Sequence, residues 1–145
     1  MADVTLKWRE NMVFDAYVNG FNIALDAQQE GKQAMGPSPK PLLLVSLAGC
    51  TGMDIVSLAA KMRVGFSSFS VDAHSETSQG DHPHVYTSFK VIYRFEGEGV
   101  DPSKPMKMVT LSQEKYCGVA EMMRRIAPLT FEVYLNGELI DDQGR

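Results

Sequence analysis

Cysteine is scarce in this sequence. Two residues of that type, Cys50 and Cys117 in a chain of 145, are too few to staple a disulfide scaffold. With three histidines that lack ligand spacing, they do not complete a four-ligand zinc site either. Positive charge is also short: 14 Lys and Arg stand against 18 Asp and Glu, for a formal net charge of −4. No basic cluster interrupts that balance, so nucleic acid, whose binding rests on neutralised phosphates, is not an expected partner. Long apolar runs are missing as well. The longest uncharged stretch runs from Pro41 to Met53 and is closed by Asp54, short of the ~20 residues that cross a bilayer. No basic segment followed by an apolar one opens the chain, so no membrane partner and a cytoplasmic location are expected, where thiols stay reduced. A P-loop, a dinucleotide fingerprint and a Ser/His/Asp set are all absent, the nearest glycine cluster being Gly97-Glu98-Gly99. What is there, 44% hydrophobic and 22% charged residues, is the composition of a soluble globular protein, and the length fits one domain over 1–145. The two thiols are then either inert core residues or a redox pair.

Residues 1–27 alternate apolar and polar in three short runs: Val4, Leu6 and Trp8; Met12, Phe14 and Tyr17 or Val18; Phe21, Ile23 and Leu25. Period 2 predicts strands, and Asn19-Gly20 suits a two-residue hairpin turn, so an antiparallel meander is expected. Residues 28–39 carry Gly and Pro without periodicity and read as a loop. From 38 to 63 the pattern is helical, with Ser38 as N-cap, Pro39 in the first turn, and Lys61 and Arg63 near the end. Apolar side chains surround this helix on nearly all sides, which marks the central helix of a core. Residues 66–96 predict a β-hairpin around the Ser78–His84 turn. Residues 101–126 are helical, with Ser112 offering an internal N-cap, so that Lys115 to Ile126 forms a separate helix carrying Cys117 near its start. A C-terminal strand over 129–140 follows, with Asn136-Gly137 as a turn. The order βββ-α-ββ-α-β predicts an α+β fold with helices against antiparallel sheet.

A buried free cysteine is ordinarily a small hydrophobe. Two features point to chemistry instead. Gly49 and Gly52 flank Cys50 and Thr51, leaving room for another backbone or a ligand beside the thiol. Cys117 falls near a helix start, where the dipole favours a thiolate. Asp54, four residues after Cys50, shares its helix face, and an unpaired carboxylate there disfavours a thiolate. A reactive Cys50 therefore needs a cation, with Lys40, Arg9, Lys61 and Arg63 as candidates. His74, His82 and His84 read as polar surface residues, and no metal site is expected.

The cysteine-bearing segments have a family likeness. Gly36-Pro37-Ser38-Pro39-Lys40-Pro41 leading through Leu47-Ala48-Gly49-Cys50-Thr51-Gly52-Met53-Asp54 to Val56, and Leu111-Ser112-Gln113-Glu114-Lys115-Tyr116-Cys117-Gly118-Val119-Ala120, resemble the two signature segments of the OsmC/Ohr superfamily, most closely its YhfA-type OsmC-like branch. Lys7-Trp8, Met12-Val13-Phe14, Leu25-Asp26-Ala27 and His82-Pro83 extend the likeness over nearly the whole chain. The resemblance implies an OsmC-like fold in an intertwined homodimer, antiparallel sheets of both subunits wrapping around central helices, with two sites at the interface. It further implies thiol-dependent reduction of organic hydroperoxides. Cys50 would be the peroxidatic thiolate, oxidised to a sulfenic acid, and Cys117 the resolving residue that closes a disulfide. No bound cofactor is implied; an external dithiol such as lipoyl, or a small thiol, returns the pair to its reduced state. Characterised members place a Glu ten residues ahead of the first cysteine, where it orients an activating Arg. Here that position is Lys40, and Arg9 lies in the N-terminal meander. Lys40, Arg9 and Asp54 are thus the supporting candidates, Lys40 bringing a flexible point charge in place of a planar guanidinium. The alternative is a non-catalytic dimer that keeps the fold and binds a small apolar ligand.

Overall fold

The computed structural model describes residues 3–141; residues 1–2 and the tail from 142 lie outside it. The chain divides into two compact units, the first ending at Leu43 and the second beginning at Leu44.

In the first unit β1 (Val4–Glu10), β2 (Val13–Val18) and β3 (Phe21–Leu25) form the expected antiparallel meander. Asn19 and Gly20 take φ of +49° and +81°, both positive as a two-residue type I′ hairpin turn requires. Pairing of Val18 with Phe21 follows from that turn. The loop after β3 is organised by Asp26. Its carboxylate accepts the N–H groups of Ala27 (2.7 Å) and Met35 (3.0 Å), and its own N–H donates to the Pro37 carbonyl. Gly36 returns so close to β3 that a Cβ there would lie 1.9 Å from the Ala24 carbonyl oxygen.

The second unit holds a four-stranded sheet in the order β4 (Ser68–Thr77), β5 (Tyr86–Glu96), β6 (Leu129–Leu135), β7 (Glu138–Asp141). Phe89, Val91, Tyr93 and Phe95 on β5 and Leu129, Phe131, Val133 and Leu135 on β6 are buried at every second position, the period of a sheet with one covered face. β4–β5 and β6–β7 are antiparallel, but β5 and β6 run parallel, because the helical segment between them carries the chain back to the end where β5 began. The stretch over 129–140 is two strands, since Asn136 and Gly137 both have positive φ and close a hairpin.

Helix α1 (Leu42–Met62) packs one stripe into this core: Leu47, Thr51, Ile55, Leu58 and Ala59. It starts at Leu42 and not at Ser38. Pro39 and Pro41 have no N–H to give, and the chain closes two i→i+3 turns instead, Leu42 to Pro39 and Leu43 to Lys40. Val45, Met53 and Val56 are 63, 76 and 56% exposed, so within one chain α1 has a single covered face rather than burial all round. By length and composition, 21 residues with mean hydropathy 1.8, it is long and apolar enough to cross a membrane, although it carries Asp54 and Lys61.

Between β5 and β6 lie α2 (Ser103–Leu111), a π-helical turn (Ser112–Tyr116) and α3 (Gly118–Ile126). The helical region expected over 101–126, with a separate helix from Lys115, is split as expected, but by a π-turn, and the second helix begins after the second cysteine.

Candidate active site

Cys50 is half-buried on α1, and Cys117 is buried at 3% exposure. Both are free thiols, and they are neighbours: Cys50 packs against the buried cluster that holds Cys117, near enough to raise the Cys117 thiol. The π-turn produces this meeting. Its wider ring ends with the Cys117 N–H donating to the Ser112 carbonyl at 2.8 Å, after which Cys117 takes an extended conformation (φ −78°, ψ 99°) and becomes the N-cap of α3. Its Sγ accepts from the Ala120 N–H at 3.3 Å, in the place where capping side chains usually put an oxygen. This corrects two expectations: Ser112 does not N-cap a helix but closes the C-terminus of α2, and Cys117 precedes the first helical turn of α3 instead of lying in it. Ser112 is fully buried, and its hydroxyl is used by partners in the core.

Burial pushes the Cys117 thiol up to about 11, against the Ala120 N–H, which lowers it; the Cys50 thiol and the Asp54 carboxylate raise it further. Cys117 therefore keeps its proton at neutral pH, despite its place at a helix N-terminus.

Behind the thiols runs a buried chain of hydrogen bonds whose direction is set from both ends. At one end Ser112 Oγ donates to Asp54 Oδ2 at 2.9 Å. That uses the only hydroxyl proton of Ser112, so Thr51 Oγ1 donates to Ser112 Oγ (2.7 Å), and Tyr93 Oη in turn donates to Thr51 Oγ1 (2.7 Å). At the other end Arg124 Nη2 donates to Gln113 Oε1 (2.9 Å) and to the Gln113 carbonyl (3.0 Å). The Gln113 amide is thereby oriented, and its Nε2 donates to Tyr93 Oη at 2.5 Å. Both ends require the same proton arrangement at Tyr93, which leaves every donor and acceptor in the chain paired. Burial pushes the Tyr93 phenol up to about 12, opposed by its bonds to Thr51 and Gln113.

Of the residues singled out in the sequence, Cys50, Cys117 and Asp54 come together. Lys61 lines a cavity of about 250 Å³ with Asp54, Ser57, Leu58 and Tyr116. Arg63, at φ +55°, follows the end of α1. Arg9 belongs to the N-terminal unit and forms a bidentate ion pair with Asp15, Nε to Oδ2 at 3.0 Å and Nη2 to Oδ1; that contact holds the Asp15 carboxyl below its usual range. Lys40 is exposed in the turn ahead of α1. A Cβ on Gly49 would meet nothing within 4 Å, and one on Gly52 would make ordinary contact with Val71 at 3.5 Å, so no backbone among the described residues needs either glycine. His82 and His84 meet ring edge to face, and His84 Nδ1 contacts the Ser78 carbonyl. No group of His, Cys, Asp or Glu among the described residues could hold a metal ion.

Thr51, Tyr93, Ser112, Gln113 and Arg124 were not recognised as site residues from the sequence. One trace of them is present: Thr51 is a polar residue in the middle of an otherwise apolar helix stripe. Gln113 and Arg124 gave none, because their role depends on a π-turn that has no compositional signature.

Two neighbouring thiols, one of them capping a helix, on this two-unit α+β scaffold define a class. The OsmC-like protein family model matches residues 30–132, and the chain belongs to that family. Protein YhfA of Escherichia coli K12 is 29% identical over 126 residues, covering 86% of this chain and 91% of its own. A hypothetical protein of Aquifex aeolicus superposes with a TM-score of 0.80 at 24% identity, over 95% of this chain and 98% of the other. The organic hydroperoxide resistance protein OhrB of Bacillus subtilis shares the fold at a TM-score of 0.62 and 15% identity, over 94% and 98%.

Proposed function

We propose that this chain is a thiol-dependent reductase of organic hydroperoxides that works as a homodimer, with Cys50 attacking and Cys117 resolving. The observation that carries this reading is that the two thiols are neighbours in the core cluster, since a resolving sulfur has to lie where it can bond to the oxidised one. Membership of the OsmC-like family and a fold shared with a hydroperoxide resistance protein support the class of chemistry. The Cys50 thiolate attacks the distal oxygen of the hydroperoxide; the O–O bond breaks, the sulfenic acid forms on Cys50, and the departing alkoxide takes a proton from water to leave as the alcohol. Cys117 then attacks the sulfenic acid on Cys50, the S–S bond forms, and water leaves. A dithiol such as lipoyl, or a small thiol, reduces the disulfide by exchange. A second copy of the chain is supported by the apolar face left open on α1 and by Trp8 and Phe21 in the meander, 66 and 73% exposed; patches of that kind mark contact surfaces.

The test is one equivalent of cumene hydroperoxide on the reduced protein, followed by intact mass. The expected product is a chain lighter by two hydrogens. Cys117→Ser gains one oxygen that dimedone traps, and Cys50→Ser stays unchanged. Oxidation of Cys50 no faster than that of a free model thiol ends the proposal. A second reading, a dimer that binds a small apolar ligand without turnover, is favoured by Lys40 at the position of the family's Glu and by the Arg9–Asp15 pair. Under it, hydroperoxide leaves the thiols intact and Cys50→Ser still binds the ligand.

A further inference from the structure

The buried hydrogen-bond chain is larger than the packing of two thiols needs, and it ends on a carboxylate beside them. We propose that Asp54 is the proton acceptor of the resolving step, held in position by the donor chain that starts at Arg124; this rests on Cys50 and Cys117 being a redox pair. Asp54 lies one helical turn after Cys50 on the same face of α1. Ser112 ties it to the second thiol, because the Ser112 hydroxyl holds Asp54 Oδ2 at 2.9 Å while the Ser112 carbonyl accepts the Cys117 N–H at 2.8 Å. Among the described residues the carboxylate takes no other hydrogen bond, and it lines the cavity shared with Lys61 and Tyr116. Five donors in sequence, each spent on the next residue, point toward Asp54 and hold its carboxylate in position.

The chemistry supplies the need. Cys117 is a buried thiol pushed up to about 11, so roughly one molecule in ten thousand carries the thiolate at pH 7, and its attack requires a base. In the resolving step the Cys117 Sγ–H proton passes to Asp54, and the sulfur lone pair forms the S–S bond to Cys50. The S–O bond of the sulfenic acid breaks, and the departing hydroxide takes the proton from Asp54 as water. The Cys117 sulfur is oxidised, the Cys50 sulfur is reduced, and Asp54 ends as it began. The titratable groups facing this carboxylate are the two thiols, the Tyr93 phenol and, across the cavity, Lys61 and Tyr116.

A test that needs no hydroperoxide uses 2,2′-dithiodipyridine on the reduced full-length protein. The more exposed Cys50 releases the first thiopyridone and becomes a mixed disulfide. Attack by Cys117 releases the second, and intact mass then shows a chain lighter by two hydrogens without adduct. The wild-type second release is expected to be nearly independent of pH from 6 to 9. Asp54→Asn slows it at least tenfold at pH 7 and makes it rise about tenfold per pH unit, with the first release within twofold of wild type, and Asp54→Glu restores part of the rate. Arg124→Met, on the less buried end of the chain, slows the second release alone and guards against a folding defect in the Asn variant. The proposal is overturned if Asp54→Asn keeps the wild-type second rate and pH profile, or if it accelerates both releases, which would make Asp54 only an opposing charge. It is also overturned if the wild type shows no second release. If hydroperoxide leaves the wild-type thiols untouched while the two-stage release behaves as described, the peroxidase reading fails and the role of Asp54 stands.

Discussion

Tyr93 and Cys117 bind their protons more tightly in the folded chain than in the unfolded one, Tyr93 at about 12 against 10.0 and Cys117 at about 11 against 9.0. Burial is the first cause in both. A raised pKa of this kind contributes stability that is complete below the unfolded value and is lost as pH climbs to the folded one. The window therefore opens near pH 9 with Cys117 and closes near pH 12 with Tyr93. Each group takes away about 1.4 kcal/mol per pH unit while it alone is titrating between its two values. Urea midpoints measured at fixed protein concentration from about pH 8 to pH 12 should fall most steeply between 10 and 11, where the two intervals overlap. Tyr93→Phe should remove the upper part of that decline. The same variant should also cost about 1–3 kcal/mol at pH 8, because the buried Gln113 amide then donates to nothing. An unchanged alkaline decline in Tyr93→Phe would mean that the phenol is not the titrating group.

Elements differ in how plainly their residues announce them. The meander was legible because alternation and Asn19-Gly20 are local signals, and the structure puts both turn residues at positive φ. The β4–β5 hairpin and the buried face of β5 were legible for the same reason. The parallel β5–β6 pair was not, since strand direction depends on where the intervening helices return the chain. A break at Ser112 was legible as an internal cap, but its π form was hidden, because a π-turn is one extra residue in a helical sequence whose composition is unaltered. With it went the capping role of Cys117 and the contacts of Gln113. Cys50, Cys117 and Asp54 could be found because thiols and a carboxylate at helical spacing are chemically conspicuous; the residues that hold them are ordinary in type. Gly36 is a quieter case of the same kind. Nothing in the Gly-Pro loop distinguishes it, yet a methyl group there would lie 1.9 Å from the Ala24 carbonyl oxygen, and that backbone atom belongs to β3 and cannot turn aside. Gly36→Ala should therefore release the loop from the meander. Hydrogen exchange at the amides of Asp26 and Met35, which donate to Pro37 and to the Asp26 carboxylate, should accelerate by at least tenfold, while the β5 and β6 amides keep their protection. Unchanged exchange at those two amides would show that the loop is not held by this approach.

At the scale of the molecule, the open question is what covers the second face of α1. With 3.6 residues per turn, Val45, Gly49 and Val56 share one side of the helix, away from the stripe that enters the core. Val45 and Val56 are exposed, and the space over Gly49 is empty. Each glycine costs a helix interior about 1 kcal/mol relative to alanine, and nothing among the described residues packs on Gly49 to compensate that cost. A helix of a second copy would, since two backbones approach most closely where side chains are missing. The proposed dimer thus leads to an asymmetric expectation for Gly49→Leu. The isolated chain has room for the new side chain and gains helix propensity, so the circular dichroism of the helices should be kept. The pair of helices loses its close approach, so sedimentation velocity should give a species near 16.0 kDa where the wild type gives one twice as heavy. The wild-type melting temperature should rise with protein concentration, as mass action requires when unfolding separates subunits, and that dependence should vanish in the variant. A Gly49→Leu protein that remains dimeric would place the partner elsewhere, on the meander side where Trp8 and Phe21 are exposed, and the open stripe on α1 would need another occupant.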